Sequence, residues 1–271
     1  MKRKNRSIAL TLNLLMLAGG LSCSKIMPER NIDYNAGRVP VNLPRGLRNA
    51  EKDWRIDKPT AVIISLPTND QIFVGKERTP SAKEDLRFKL RQLLQDQTDP
   101  DRMVYLAASF LNDWGNLVEI CHAIRMQDVS RVGLLATNKG MNTPGRISVE
   151  LPAEPDPNKD ISMMKPNPLT LVVSINPDLK VRLNQEDLGN VNDSLALSTM
   201  VQNIFKMRRD QHAYKQGFET RTDLPEEERV EMTITVKSPR SLKYGDVMKI
   251  IDALRGAGAR PIVLQLDDLP N

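Results

Sequence analysis

The stretch VEMTITVKSPRSLKYGDVMKIIDALRGAGARPIVLQL, residues 230–266, decides the fold because three patterns follow one another in it. Residues 232–236 alternate apolar and polar side chains, which is typical of a half-buried strand. Residues 244–254 place apolar side chains at helical spacing, and Gly256 and Gly258 are expected to end that helix because glycine adopts the left-handed conformation without steric cost. Residues 261–266 form a short apolar strand. The stretch therefore predicts a βαβ crossover with parallel strands.

The order of these features resembles the periplasmic domain of the ExbD/TolR biopolymer-transport family. In that family an aromatic-Gly-Asp-Val sequence opens a helix that ends in ALRxAG before the last strand, and residues 244–247 and 253–258 match both parts. The resemblance implies domains that pair as dimers beside a proton channel of the ExbB/TolQ kind. It also implies that a TonB/TolA-like protein receives the energy that the proton channel provides, and that no cofactor is needed. Peptidoglycan is a further possible partner, as in TolR.

The same unit occurs twice in the chain. Residues 103–136 line up with residues 233–266 at a constant offset of 130, so that Trp114-Gly115 corresponds to Tyr244-Gly245. An upstream hairpin, residues 61–74, matches residues 171–183 at an offset of 109. Such a repeat predicts two tandem small domains of the α/β (α+β) class. Each is expected to be a mixed β-sheet with two helices on one face, in the order ββαβαβ.

The repeat and the proline distribution divide the chain into five parts. We expect a signal, lipoprotein signal or short membrane anchor over 1–23, a tether over 24–58, a first domain over 59–138, a proline-rich linker over 139–168 and a second domain over 169–271. Within the linker, residues 146–151 alternate and are open to interpretation as a short strand. The second copy holds 21 extra residues in a helix extended over about 192–214 and the charged loop after it. They are interpreted as a solvated surface insertion or as a partner-binding feature.

The N-terminus has the layout of an export signal. A basic start, an apolar run over residues 8–18 and small residues precede Cys23, a candidate for lipidation. The apolar run is shorter than the roughly 20 residues of a membrane span, so lipidation, plain cleavage and retention as a short anchor all stay open. The protein is expected in the cell envelope, membrane-associated and facing the periplasm. No Asp or Glu precedes Glu29, so the membrane aspartate that the resemblance implies is missing.

Residues that carry chemistry are few. The net charge of +5 includes the four basic residues of the first 22 positions, so it does not indicate nucleic-acid binding. His122 follows Cys121 on a helix, where adjacent side chains diverge, and His212 lies in the charged extension. Cys121 takes the place of Ile251 in the repeat and is interpreted as a buried apolar residue. We expect no enzyme, no metal and no cofactor.

Four residues beside the two helix starts are candidate partner contacts: Asp113, Trp114, Tyr244 and Asp246. The alternative is that Trp114 and Tyr244 pack their helices onto the sheet. The expected function is a non-enzymatic envelope module that supports transport or envelope energisation driven by the proton-motive force, with its two copies paired inside one chain. The alternative is a periplasmic lipoprotein that binds peptidoglycan or another ligand and has no motor role.

Overall fold

The structure is a computed structural model that describes residues 39–95, 102–139, 144–153 and 167–266. These residues belong to one compact unit, Asn31–Asn271. The expectations for 1–23, including the lipidation of Cys23, lie outside the described residues.

The first half of the chain contains the predicted hairpin and crossover. Strands β1 and β2 pair antiparallel, and β3 and β4 pair parallel on either side of helix α2. Helix α1 connects the hairpin to the crossover. The elements are β1 (Val62–Thr68), β2 (Gln71–Val74), α1 (Leu86–Leu94), β3 (Val104–Ala108), α2 (Trp114–Arg125), β4 (Arg131–Thr137) and β5 (Pro144–Glu150).

The second half repeats the first half's order of a hairpin, a helix and a βαβ crossover, with one strand and one helix inserted, and its described residues hold no counterpart of β5. Strands β6 and β7 pair antiparallel, β8 extends that hairpin, and β9 and β10 pair parallel around α5. The βαβ crossover predicted from residues 230–266 is therefore confirmed. The elements are β6 (Val172–Ile175), β7 (Lys180–Leu183), β8 (Glu186–Asn190), α3 (Leu195–Asp210), α4 (Glu226–Arg229), β9 (Ile234–Lys237), α5 (Tyr244–Gly256) and β10 (Ile262–Leu264).

The strands of the described residues form one mixed sheet instead of two. Its order is β2-β1-β3-β4-β5-β10-β9-β6-β7-β8. The α/β class is confirmed, but two separate domains, each with its own sheet, are not. The two halves appear in this sheet with mirrored strand order, and β5 lies between them.

Strand β5 comes from the segment expected to be a linker. It pairs antiparallel with β4 from Arg131↔Glu150 to Thr137↔Pro144, and parallel with β10 at Val263↔Glu150. Ile147 and Val149 are buried while their neighbours are half-buried, as the alternating pattern of this segment predicted. The linker prediction is therefore wrong for residues 144–150, because this strand covers edges of β4 and β10 that would otherwise be open.

Apolar side chains cover both faces of the first half of the sheet. Val62 and Ile64 of β1 belong to the main core with the helices, whereas Ile63 points to a second cluster on the opposite face. Val41, Leu43 and Ile56, each 2–3% exposed, complete that second cluster. The tether prediction is therefore wrong for residues 39–58, which we call the strap, because their apolar side chains pack on the sheet.

The helices differ from expectation at their ends. In α1, the spacing of Leu86, Leu90, Leu93 and Leu94 predicts one buried face. Three of these leucines are buried, but Leu93 is 43% exposed because it falls off that face. Helix α3 is shorter than the predicted 192–214. Helix α5 includes Gly256, and the left-handed residue after it is Gly258, with φ +101°.

Candidate functional site

The starts of helices α2 and α5 bind each other's preceding loops. The backbone N–H of Trp114 donates to the carbonyl of Leu242 at 2.7 Å, and the N–H of Tyr244 donates to the carbonyl of Asn112 at 2.7 Å. Trp114 and Tyr244 are equivalent in the repeat, and so are Asn112 and Leu242. The loop before each helix therefore provides a carbonyl acceptor for one of the otherwise unpaired N–H groups in the first turn of the other helix. We call residues 110–116 and 240–246 the junction.

A second reciprocal pair explains why glycine follows each aromatic residue. The N–H of Gly115 donates to the carbonyl of Arg240 at 2.9 Å, and the N–H of Gly245 donates to the carbonyl of Phe110 at 2.9 Å. A Cβ on Gly115 would lie 2.7 Å from the Cβ of Arg240, and one on Gly245 would lie 3.0 Å from the Cβ of Phe110. Glycine is needed at both positions because the two loops approach so closely.

Trp114 and Tyr244 stack on each other inside the junction. Their ring centroids lie 6.5 Å apart with an interplanar angle of 10°, and their side chains are 1% and 0% exposed. The expectation that these two side chains are exposed is therefore wrong, because each ring is buried against the other. Burial raises the pKa of the Tyr244 hydroxyl far above its usual range, and neither Tyr244 Oη nor Trp114 Nε1 has a hydrogen-bond partner within the described part of the chain.

Asp113 belongs to the surface of the same junction. One carboxylate oxygen accepts from Lys243 Nζ at 2.6 Å, and the other accepts from Asn69 Nδ2 at 2.8 Å. Its backbone N–H donates to Asn69 Oδ1 at 2.8 Å. Asp113 therefore ties the loop after β1 to the loop before α5, and its side chain is 42% exposed.

Asp246 points away from this group. It accepts from Lys249 Nζ at 2.9 Å, and the same Lys249 Nζ donates to Asn192 Oδ1 at 2.9 Å. The structure thus brings Asp113, Trp114 and Tyr244 together, while Asp246 lies towards the start of α3.

An open polar cleft of about 650 Å³ lies in the second half and was not predicted. Its walls come from the strap, from the start of α3 and from α5. The lining offers amides, hydroxyls and both signs of charge, so it suits a ligand that is rich in hydrogen-bonding groups. The polar lining residues are Arg48, Asn49, Asn192, Asp193, Ser194, Ser198, Gln202, Lys249 and Asp252.

The strap wall of this cleft is fixed by Asp252. This residue is 8% exposed, and its carboxylate accepts the backbone N–H groups of Arg48 and Asn49, the latter at 2.8 Å. In return, Asn49 Nδ2 donates to the carbonyl of Asp252 at 2.9 Å. A Cβ on Gly256 would lie 2.7 Å from that amide nitrogen, so the helix has a glycine where the strap crosses it. No sequence pattern indicated this contact, because its partners are about 200 positions apart.

A buried ionic group holds the other end of the strap. Asp53 accepts from the Tyr105 hydroxyl at 2.8 Å, from Arg55 Nε at 3.1 Å and from Arg146 Nε. Burial alone would raise the pKa of this carboxyl, but these donors hold it well below its usual range. Burial and the bond to Asp53 together raise the pKa of Tyr105 to about 12.

The remaining candidate residues have structural partners. Burial raises the pKa of the Cys121 thiol to about 12, and this side chain is 1% exposed, as its place in the repeat predicted. His122 Nε2 lies 3.2 Å from the carbonyl oxygen of Leu266, and His212 Nδ1 pairs with Glu226. Among the residues that the structure describes, there is no group of three or more potential metal ligands. No helix in those same ranges combines the length and the apolar character needed to span a bilayer.

No family model and no curated protein matches this sequence.

Proposed function

We propose that this chain is a non-enzymatic cell-envelope module similar to ExbD and TolR, in which two copies of one ββαβαβ unit pair inside a single polypeptide. In this proposal it is exported, is held at the membrane by residues 1–23, and supports transport or envelope energisation driven by the proton-motive force. Its partners are an ExbB/TolQ-like proton channel and a TonB/TolA-like protein. Because its N-terminus lacks a membrane aspartate, the channel partner would carry the protons.

The reciprocity of the junction carries this proposal. Equivalent residues make equivalent backbone hydrogen bonds in both directions, at matching distances of 2.7 Å and 2.9 Å. Such reciprocity is the property of a two-fold interface between identical subunits, where residue i contacts j and j contacts i. The motif that resembles the family, aromatic-Gly at the start of the helix, is the part of the sequence that makes these contacts. The resemblance and the pairing therefore rest on the same residues.

The pairing is tested by the mass of the purified full chain in detergent by sedimentation. We expect a single chain, because each copy already has its partner. An obligate dimer of chains would contradict the internal pairing. The intact mass from the membrane fraction then shows whether the chain starts at Met1, at an acylated Cys23 or at an unmodified residue near it.

The role is tested by cross-linking in intact cells, followed by mass spectrometry of what the full chain binds. We expect an integral membrane protein of the ExbB/TolQ class. The matched control is Gly115→Val, which should disrupt the junction and lower the yield of that cross-link. Recovery of no channel of this class in repeated experiments would contradict the motor role.

The polar cleft favours a second candidate, a periplasmic binding protein for peptidoglycan or another polar ligand. Its volume of about 650 Å³ lies within the usual range for ligand sites, and its amides and hydroxyls suit sugar or peptide groups. Sedimentation with purified cell wall separates the candidates, because a motor component without wall affinity stays in the supernatant. Gln202→Ala, which removes an exposed amide of the cleft, should weaken wall binding, and Gln185→Ala outside the cleft should not.

A further inference from the structure

The strap covers an apolar face that only the first half of the sheet has. Its side chains Val41, Leu43 and Ile56 pack against a patch of five residues, of which four lie on strands β1, β3 and β4 and one directly precedes β3. At the repeat-equivalent positions of the second half, four of five side chains are polar, and all of them are half-buried. The patch is Ile63, Met103, Tyr105, Ala107 and Leu135, and the equivalents are Val172, Thr233, Thr235, Lys237 and Gln265. The apolar patch and the strap that covers it therefore occur together in the first half.

The strap is not a strand of the sheet. It makes isolated bridges, one to β5 at Glu51↔Arg146 and one beyond the end of β4 at Leu47↔Asn138. The strand β4, by contrast, pairs with β5 along its full length, from Arg131 to Thr137. Segments outside the sheet can open locally at a lower free energy than core strands, which open with the whole cooperative unit.

The contacts of the strap follow its sequence from the N-terminal end. The carbonyls of Asn42, Pro44 and Leu47 accept backbone bonds from Phe110, Thr137 and Lys139 at 2.8–2.9 Å. The Asp252 contact at residues 48–49 comes next, then the Glu51 bridge, and the buried Asp53 group comes last. A pull on the N-terminal end therefore first reaches the buried side chains of Val41 and Leu43 together with single backbone bonds. It then reaches Leu47 and Ala50, which belong to the main core, and the ionic group comes last.

We propose that the strap is a release device that detaches under tension from the N-terminal side before any strand of the sheet unfolds. This inference rests on the proposed function, because an envelope anchor at residues 1–23 would apply that tension. Detachment lengthens the connection to the membrane and uncovers the apolar patch. It also removes Arg48 and Asn49 from the polar cleft, so that the cleft loses one wall when the strap detaches.

Optical-tweezers extension of the full chain, held at its two ends, tests this device. Cys23→Ser is present throughout to avoid stray coupling. We expect a first event that releases residues 39–58, about 7 nm of contour length at the extended length of a residue, before the main unfolding event. A single event for the whole unit, or a first event that includes strands and is much longer, would overturn the proposal.

A disulfide variant provides the matched control. Glu51 and Arg146 exchange both backbone hydrogen bonds at 2.8 Å, so their Cα atoms are about 5.5 Å apart, within the range that a disulfide spans. Oxidised Glu51→Cys/Arg146→Cys should release only residues 39–50, about 4 nm. The same protein after reduction should release the full strap, at lower force than the parent because Asp53 has lost Arg146. An oxidised variant that extends like the reduced one would contradict the order of release.

This result is separable from the proposed function. A strap that fails to detach first, in a chain that still cross-links to an ExbB/TolQ-like channel, would remove the device and leave the function. A strap that detaches as expected, in a chain that binds no such channel, would leave the device and remove the function.

Discussion

Gly115 and Arg240 are so close that a Cβ on the glycine would lie 2.7 Å from the Cβ of the arginine. The carbonyl oxygen of Arg240 would lie 3.2 Å from the same Cβ, so the obstacle includes backbone and cannot be moved by rotating a side chain. A Cβ on Gly245 would lie 3.0 Å from both the Cβ and the carbonyl oxygen of Phe110, so its nearest contact is wider by a few tenths of an ångström. The two glycine positions therefore differ in how much room they leave for a Cβ atom.

This difference predicts a graded effect of alanine at the two glycines. Gly115→Ala should lower the free energy of unfolding by about 2–3 kcal/mol, since overpacking at a rigid contact typically costs 1–3 kcal/mol. Gly245→Ala should cost less because its neighbour needs to move only a few tenths of an ångström. Urea titrations of both variants against the parent measure the midpoint. Equal, negligible effects would show that the loops separate easily.

Asp53 predicts acid sensitivity of the strap. The pKa of its carboxyl is lowered in the folded protein, so its contribution to stability is complete above its unfolded pKa near 4 and is lost as the pH falls further. Asp53→Asn should remove this part of the pH dependence. It should also cost about 3 kcal/mol at neutral pH, because the guanidinium of Arg146 loses its carboxylate at a site where it is 15% exposed.

Unfolding midpoints between pH 7 and pH 3, for the parent and Asp53→Asn, provide the measurement. The two curves should converge towards low pH. Asp57→Asn, at an exposed carboxyl in the short helical turn Trp54–Asp57 that follows Asp53, serves as the control and should follow the parent. Parallel curves for the parent and Asp53→Asn would show that Asp53 is not the source of this pH dependence.

Asp252 predicts local protection of the strap. Asp252→Ala would leave the N–H groups of Arg48 and Asn49 without their acceptor, at a cost of about 1–3 kcal/mol. Asp252→Asn retains one carbonyl oxygen and should cost less. Hydrogen exchange at these two amides should accelerate in the alanine variant, while the amides of β4 stay protected. Unchanged exchange at Arg48 and Asn49 would show that other contacts hold this segment.

The two tryptophans predict opposite responses to a quencher. Trp114 is 1% exposed and Trp54 is 65% exposed, although Lys58 Nζ lies 4.0 Å from its ring centroid. In Trp54→Phe the remaining emission should be blue-shifted and resist acrylamide, whereas the parent should show a quenched fraction. Trp114→Ala should also lower the free energy of unfolding by about 3–5 kcal/mol, since it leaves a large cavity beside Tyr244. Strong quenching in Trp54→Phe would contradict the buried junction.

Local patterns in the sequence predicted the elements but not how the halves meet. Helices α2 and α5 and their flanking strands follow from apolar periodicity and from the repeat, which depend on neighbours a few positions apart. The burial of Trp114 and Tyr244 could not follow from their own helices, because each is covered by the other half. The glycine after each aromatic residue indicated that another part of the backbone approaches closely there. The sequence alone does not show which segment that is.

The strap and β5 were misassigned for a related reason. Both lie in proline-containing stretches, where composition predicts a connection. Residues 146–151 alternate, but this alternation does not show which strands they pair with. Val41, Leu43 and Ile56 are too widely spaced to form a pattern, and they are buried because the outer face of the first half is apolar. The difference between that face and its polar equivalent was readable in the repeat alignment, at Tyr105 against Thr235 and Ala107 against Lys237.

The position of β5 has a consequence for stoichiometry. One strand occupies the centre between β4 and β10, and the strands of the described residues include no equivalent of it from the second half. Two identical chains could not both place such a strand at the same centre. If the halves act as two subunits, one chain supplies the complete pair. An assembly that needs two separate copies of an unfused subunit would then need one copy of this chain. A titration of this chain against its partner would then end at half the molar ratio expected of an unfused pair.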